Sequence, residues 1–176
     1  MTRPTVTLRR IELADWPAVH AWARLPESCR YQTWGPNDEE QTRAYVAAAA
    51  GEWSRTPRRA LPYAAHVDGE VLGMGTLHLR DAAHRQGEIT YIVHPRAWGR
   101  GVATAIGAGL LGTAFAELGL HRVYATCDPR NAGSARVLAK LGMTCEGRLR
   151  HTTLIRDGWR DSELFSILEH EWRPPA

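Results

Sequence analysis

The segment Glu88-Ile89-Thr90-Tyr91-Ile92-Val93 is dense in β-branched and aromatic side chains, and His94-Pro95 closes it. A glycine-bearing turn follows at once and opens a helix expected from about Gly101 to Leu118. Strand, glycine turn and helix in this order constrain the fold more than anything else in the chain. The composition of the strand favours a central position in a sheet, and the helix behind it has to pack back on that sheet. Glycines at 99 and 101 can take left-handed backbone angles and leave N–H groups exposed where the helix dipole favours an anion. Arg96 and Arg100 add positive charge, and the combination suits a pyrophosphate. The Gly-x-Gly-x-x-Gly spacing of dinucleotide-binding dehydrogenases is missing, and so is the Gly-Lys-Ser/Thr of a P-loop.

Around this segment the hydrophobic period changes twice. Val6–Arg9 alternates as a first strand, and Asp15 is placed to cap a helix that begins Trp16-Pro17 and stops near Pro26. Pro26–Pro36 reads as a connection, and Asn37 with Glu40 resembles a capping box for a second helix running toward Trp53. Tyr63–Val67 and Glu70–Leu79 read as a hairpin about Asp68-Gly69. Gly107, Gly109 and Gly112 weaken the central helix unless it packs closely on a neighbour. A strand His121–Cys127, a short helix Asn131–Leu141 ended by Gly142, and strands Met143–Ile155 and Trp159–Leu168 complete the order. The expectation is a mixed α/β chain, one domain over residues 1–172, with Arg173–Ala176 as a tail.

Composition excludes several classes. In 176 residues, 22 Lys and Arg stand against 19 Asp and Glu, a net charge of +3 that suits an anionic ligand and is weak support for nucleic acid. Ile106–Leu120, the most apolar stretch, is broken by glycines and Glu117, so no membrane helix is expected. Met1–Arg10 has no apolar run of a secretory leader, and a cytoplasmic setting follows as the default. Cys29, Cys127 and Cys145 are too widely spaced for a zinc motif or a disulfide framework, and are expected to be reduced and partly buried. No metal is expected.

Arg96-Ala97-Trp98-Gly99-Arg100-Gly101, preceded by Tyr91-Ile92-Val93-His94-Pro95, resembles the pyrophosphate signature of the GNAT superfamily of N-acetyltransferases. Asn131–Met143, Glu146–Leu149 and Trp159–Leu168 are similar to its ribosomal-protein alanine and serine N-acetyltransferase branch. The resemblance spans Val6 to Trp172. It implies a single-domain acyl-CoA N-acyltransferase fold: a mixed, mostly antiparallel sheet flanked by helices and splayed between Glu88–Val93 and His121–Cys127. Acetyl-CoA is the implied cosubstrate. Its pyrophosphate would be held by Arg96, Trp98, Gly99, Arg100, Gly101, Val102, Ala103 and Thr104. Its pantetheine would lie along Ile92 and Val93 and meet Asn131 and Ser134. One departure is Ala105, where the branch commonly has glutamate.

Amine acylation needs a deprotonated nitrogen, a polarised thioester and an acid for the leaving thiolate. Glu88 is the candidate base, against a reading as a surface strand glutamate; His78, His94 and Asp128 are lesser candidates. A backbone N–H near Ile92 or Val93 is the candidate carbonyl donor. Asn131 reads as a helix cap, compatible with the pantetheine contact that the resemblance implies. By the same resemblance Ser134 lies near the thioester sulfur and is the candidate acid, with an ordered water as alternative. Strict alternation sets Glu88, Thr90 and Ile92 on one face and Tyr91 on the other, unless a bulge intervenes. Tyr31, Trp34, the Arg55–Arg59 region and His151–Arg160 are assigned to the acceptor side, with Trp34 either walling the amine site or packing in the core.

The expected reaction is direct transfer of acetyl to a primary amine in a ternary complex, with a protein N-terminal amine as one candidate acceptor. A small molecule or antibiotic, a longer acyl donor such as succinyl-CoA, and a non-catalytic CoA-binding regulatory module are the alternatives. A monomer or homodimer without nucleic-acid or membrane partners is expected.

Overall fold

The computed structural model describes residues 4–174. Met1–Arg3 and the last two residues of the expected tail lie outside them. In chain order the elements are β1 (Val6–Arg10), α1 (Trp16–Ala23), the short α2 (Pro26–Cys29), α3 (Glu39–Gly51), β2 (Ala60–Val67), β3 (Glu70–Asp81), β4 (Gln86–Val93), α4 (Val102–Gly112), β5 (Arg122–Cys127), α5 (Ala132–Lys140), β6 (Thr144–Ile155) and β7 (Gly158–Leu168). The seven strands form one sheet ordered β1-β2-β3-β4-β5-β7-β6. Only β4 and β5 run parallel. This is the mixed, mostly antiparallel α/β sheet that the sequence implies.

Each face carries its own core. Leu77, Ile89, Val93, Ile106, Leu110, Val123 and Leu138 pack together on the side of α4 and α5. Val19, Trp22, Val46, Ala64 and Met74 pack on the side of α1 and α3. Close approach explains the central glycines. A Cβ on Gly75 would lie 2.5 Å from the Ile106 side chain, and one on Gly107 would lie 2.4 Å from Leu141. The helix therefore sits lower on the sheet than any residue with a side chain would permit. At Gly73 the obstacle is rigid: a Cβ would lie 2.7 Å from the Ile92 carbonyl oxygen of the neighbouring strand. Gly73→Ala is accordingly expected to destabilise by about 1–3 kcal/mol in urea unfolding, although alanine is ordinarily favoured over glycine inside a strand. A neutral or stabilising change would show that β3 and β4 can separate freely.

Several boundaries differ from expectation, each for a local reason. The capping box forms one residue later, with Asp38 accepting from the Gln41 N–H at 2.8 Å and Gln41 accepting from the Asp38 N–H at 3.0 Å. The Asp15 carboxylate does not cap α1; it accepts the Glu12 N–H at 2.8 Å and a two-pronged contact from Arg9. Helix α1 stops at Ala23, and Pro26 opens α2, where its missing N–H has no consequence. Helix α4 ends at Gly112 and continues as a π turn over Thr113–Glu117. Cys29 and Cys127 are buried free thiols, but Cys145 is exposed, because β6 is an edge strand. No helix among the described residues is long and apolar enough to cross a membrane.

Candidate functional site

The ladder between β4 and β5 covers three positions only: Gln86 with Arg122, Gly87 with Val123 and Glu88 with Tyr124. Beyond them β4 stays paired to β3 as far as Val93, and β5 stays paired to β7 as far as Cys127. The two strands thus part into a gap open at their C-terminal ends. This is the expected splay, and it confines the closed portion to the level of Glu88.

Backbone alternation decides what faces the gap. The His94 N–H donates to the Leu72 carbonyl at 2.8 Å, and Ile92 stands opposite Met74 in unbroken register. Alternating hydrogen-bonded pairs then turn Ile92 toward β3 and leave the N–H and C=O groups of Tyr91 and Val93 facing the gap. Of the two expected carbonyl donors, Val93 has the free direction and Ile92 does not. The β3–β4 register is also uninterrupted from Gly73–Val93 to Leu79–Gly87, so no bulge forms at Thr90 and Tyr91. Tyr91 accordingly packs on the α4 side, while Glu88, Thr90 and Ile92 share the opposite face.

At the mouth of the gap lies the N-terminus of α4. Gly99 and Gly101 have φ of +74° and +83°, which is why glycine is needed there, and a Cβ at either would meet only open space. Gly101 is the N-cap and offers no side chain; the first helical bond runs from the Ala105 N–H to the Gly101 carbonyl at 3.0 Å. The N–H groups of Val102, Ala103 and Thr104 are left to a ligand, at the positive end of the dipole. The preceding turn is built to be stiff. His94 Nδ1 accepts the Arg96 N–H at 3.1 Å, and the half-exposed Trp98 donates its indole N–H to the Val93 carbonyl at 2.8 Å. Both signature arginines are engaged by the β2–β3 turn, Arg96 by Glu70 and Arg100 by Asp68 at 2.9 Å.

Across the gap, Asn131 caps α5 through Oδ1, which accepts the Ser134 N–H at 3.1 Å. The Ser134 Oγ lies 2.9 Å from the Tyr91 hydroxyl. Sequence reading set Tyr91 on the face opposite Glu88 and missed this contact; only the packing of β4 against α5 reveals it. Burial pushes the Tyr91 phenol up to about 12 and the Cys127 thiol up to about 11, so both stay protonated.

On the other face, Glu88 is mostly covered, with Oε2 held by Arg80 at 2.6–2.8 Å and Oε1 without a protein partner among the described residues. His78 stands opposite Glu88 in the ladder and touches the Thr90 hydroxyl at 3.2 Å. Burial, aided by Arg80, lowers its pKa, which keeps the imidazole neutral. His94 is also lowered by burial, but it is occupied in the turn. Asp128 is tied to Arg130 by three contacts, the Arg130 hydrogen bond being the main cause that holds its pKa down, and it is a poor base.

The connection between α1 and α3 is locked to the late hairpin. Arg156 donates to the carbonyls of Cys29, Trp34 and Gly35, the last two at 3.0 and 2.6 Å. Tyr31 donates to the Arg130 carbonyl at 3.3 Å, with the Arg130 guanidinium over its ring. Trp34, partly buried, packs against the α1–α3 core. Arg58 stacks on Trp53, and His151 stacks on the exposed Trp159. The structure therefore brings Tyr31 and the hairpin together, and leaves the Arg55–Arg59 region apart from them.

Residues 5–144 match the family described as the acetyltransferase (GNAT) domain. The uncharacterized N-acetyltransferase YnaD of Bacillus subtilis is 28% identical over 172 residues, 98% of each chain. RimJ of Mycobacterium smegmatis, solved in complex with CoA-disulfide, superimposes with a TM-score of 0.81 at 29% identity, over 94% of this chain and 83% of that one. The ribosomal protein uS5-alanine N-acetyltransferase of Escherichia coli is 36% identical over 55 residues, 31% of this chain and 28% of that protein. An open gap leading from a helix N-terminus to a serine at the start of a second helix has its explanation in this kinship: the chain belongs to the GNAT superfamily of N-acetyltransferases and is related to its ribosomal-protein branch.

Proposed function

We propose that the protein transfers the acetyl group of acetyl-CoA directly to the α-amine of a protein N-terminus. The observation that carries this reading is the β4–β5 gap, with the free N–H groups of α4 at its mouth and Ser134 on its wall. The pyrophosphate sits on the first turn of α4 and on the Gly99–Gly101 turn. The pantetheine lies as a further strand beside Tyr91 and Val93, where both N–H groups and the Tyr91 carbonyl have no other ladder to join and the Val93 carbonyl is held by the Trp98 indole, and it meets the remaining Asn131 amide. The Val93 N–H polarises the thioester carbonyl.

The amine attacks from the face that carries Glu88, which takes its proton, and Ser134 protonates the departing thiolate. Direct attack agrees with the state of Cys127: a buried thiol raised to about 11 is not a nucleophile at neutral pH. An N-terminal peptide fits the acceptor side better than a small molecule does. The hollow beside His78 is open and lined by Glu52, Arg59, Ala60, Leu79 and Arg80, with no aromatic enclosure.

The test is an acceptor screen with acetyl-CoA, in which peptides starting with alanine or serine compete with polyamines and amine antibiotics. Thiol release is followed together with product mass. Acetylation of the peptide α-amine is the expected result. Acetylation of small amines alone would overturn the acceptor, and no thiol release with any amine would favour a CoA-binding module.

The arginine pairings carry a second expectation. Glu70 and Asp68 compete with the cofactor phosphates for Arg96 and Arg100. Glu70→Gln and Asp68→Asn should each raise CoA affinity a few-fold at low salt, less at high salt, by calorimetry, as exposed pairs are individually weak. Weaker binding would mean that the carboxylates orient the arginines instead.

A further inference from the structure

A serine hydroxyl alone is a poor acid, since giving up its proton to a thiolate leaves an alkoxide. The Ser134 Oγ has one close polar neighbour among the described residues, the Tyr91 hydroxyl at 2.9 Å. The Ser134 carbonyl is farther from that hydroxyl, at 3.4 Å, which favours Oγ as acceptor of the phenolic proton. The two residues come from opposite walls of the gap, β4 and α5, and Tyr91 has its packing against the α4-side core besides this hydrogen bond.

 The phenol is pushed up to about 12 by burial, so it keeps its proton throughout the neutral range and yet remains a stronger acid than an aliphatic hydroxyl.

We propose that Tyr91 is the positioning residue and proton source behind Ser134, donating to Oγ so that the serine proton is free to point at the thioester sulfur. This deepens, and rests on, the reading of Ser134 as the acid for the leaving group. As the C–S bond of the tetrahedral adduct breaks, its electron pair leaves with sulfur. The Ser134 proton goes to that sulfur, the Tyr91 proton moves onto Oγ, and the phenolate regains a proton from solvent. The amine has meanwhile given one proton to Glu88, so one proton is lost and one gained in each turnover.

The experiment compares Tyr91→Phe, Ser134→Ala and the double variant in single-turnover acetyl transfer at saturating acetyl-CoA, with CoA affinity measured by calorimetry. Tyr91→Phe is expected to slow the chemical step about tenfold while CoA affinity and the KM for acetyl-CoA stay within about twofold. Ser134→Ala is expected to slow it at least as much, and the double variant no further than Ser134→Ala. Full-speed chemistry in Tyr91→Phe beside a slow Ser134→Ala would overturn the proposal and leave the reading of Ser134 intact. Full-speed chemistry in Ser134→Ala would overturn both. A Tyr91→Phe loss that appears in CoA affinity, or that multiplies with the serine loss in the double variant, would reduce Tyr91 to a packing residue.

Discussion

Glu88→Gln is expected to lower kcat/KM for the true acceptor by about 100-fold, with fold and CoA affinity unchanged. A carboxylate can accept the amine proton and the near-isosteric amide cannot. The position supports the role. Glu88 stands where the β4–β5 ladder ends and the gap begins, on the face away from α4, with Arg80 anchoring one oxygen and the other open. Glutamine can still accept from Arg80 through its amide oxygen, so the variant tests the charge rather than the anchoring. A pH–rate series with two acceptors of similar shape and different amine pKa separates the effects. The acceptor that arrives neutral at lower pH should lose less. Identical profiles for wild type and Glu88→Gln would remove Glu88 from the reaction and point to the neutral imidazole of His78 across the ladder.

How far the sequence could be read depended on whether a feature was local. Strand β4, the glycine turn and the start of α4 are adjacent in the chain, and their propensities and backbone demands agree, so they were legible together. The splay was legible only through family resemblance, because no residue pattern states where a ladder stops. Helix starts slipped by a residue where two capping residues stand side by side: Asn37 and Asp38 are both good N-caps, and Gln41 supplies the return bond that selects Asp38. Asp15 was misread because its partner, Arg9, lies on a strand, and a bidentate arginine outcompetes the end of a helix. The contact between Tyr91 and Ser134 could not be read at all, since they are joined only after β4 and α5 have packed on the same face. The signal for Tyr91 was its alternation, which placed it on the correct face and nothing more. Trp34 was open between site and core, and its packing, partly buried against the α1–α3 core, depends on long-range contacts that the local sequence does not state.

Gly101→Val is expected to cost CoA at least tenfold in affinity. Valine at a φ of +83° meets the steric penalty of the left-handed region, about 1–2 kcal/mol for an L-residue, so the turn relaxes and the N–H groups of Val102, Ala103 and Thr104 lose their alignment. The space beside Gly101 is open in the protein itself, so the loss comes from backbone conformation and from crowding of the bound phosphates rather than from a clash with the core. Gly112→Ala is the matched control: it lies in the same helix, its Cβ would also meet nothing within 4 Å, and its backbone is right-handed helical. That variant should keep CoA affinity and gain a little stability, as alanine is the better helix former. Thermal unfolding and circular dichroism establish that both variants are folded, and calorimetry with CoA then reads the difference. Unchanged affinity in a folded Gly101→Val protein would move the pyrophosphate away from the α4 N-terminus, and with it the direction in which the pantetheine enters the gap.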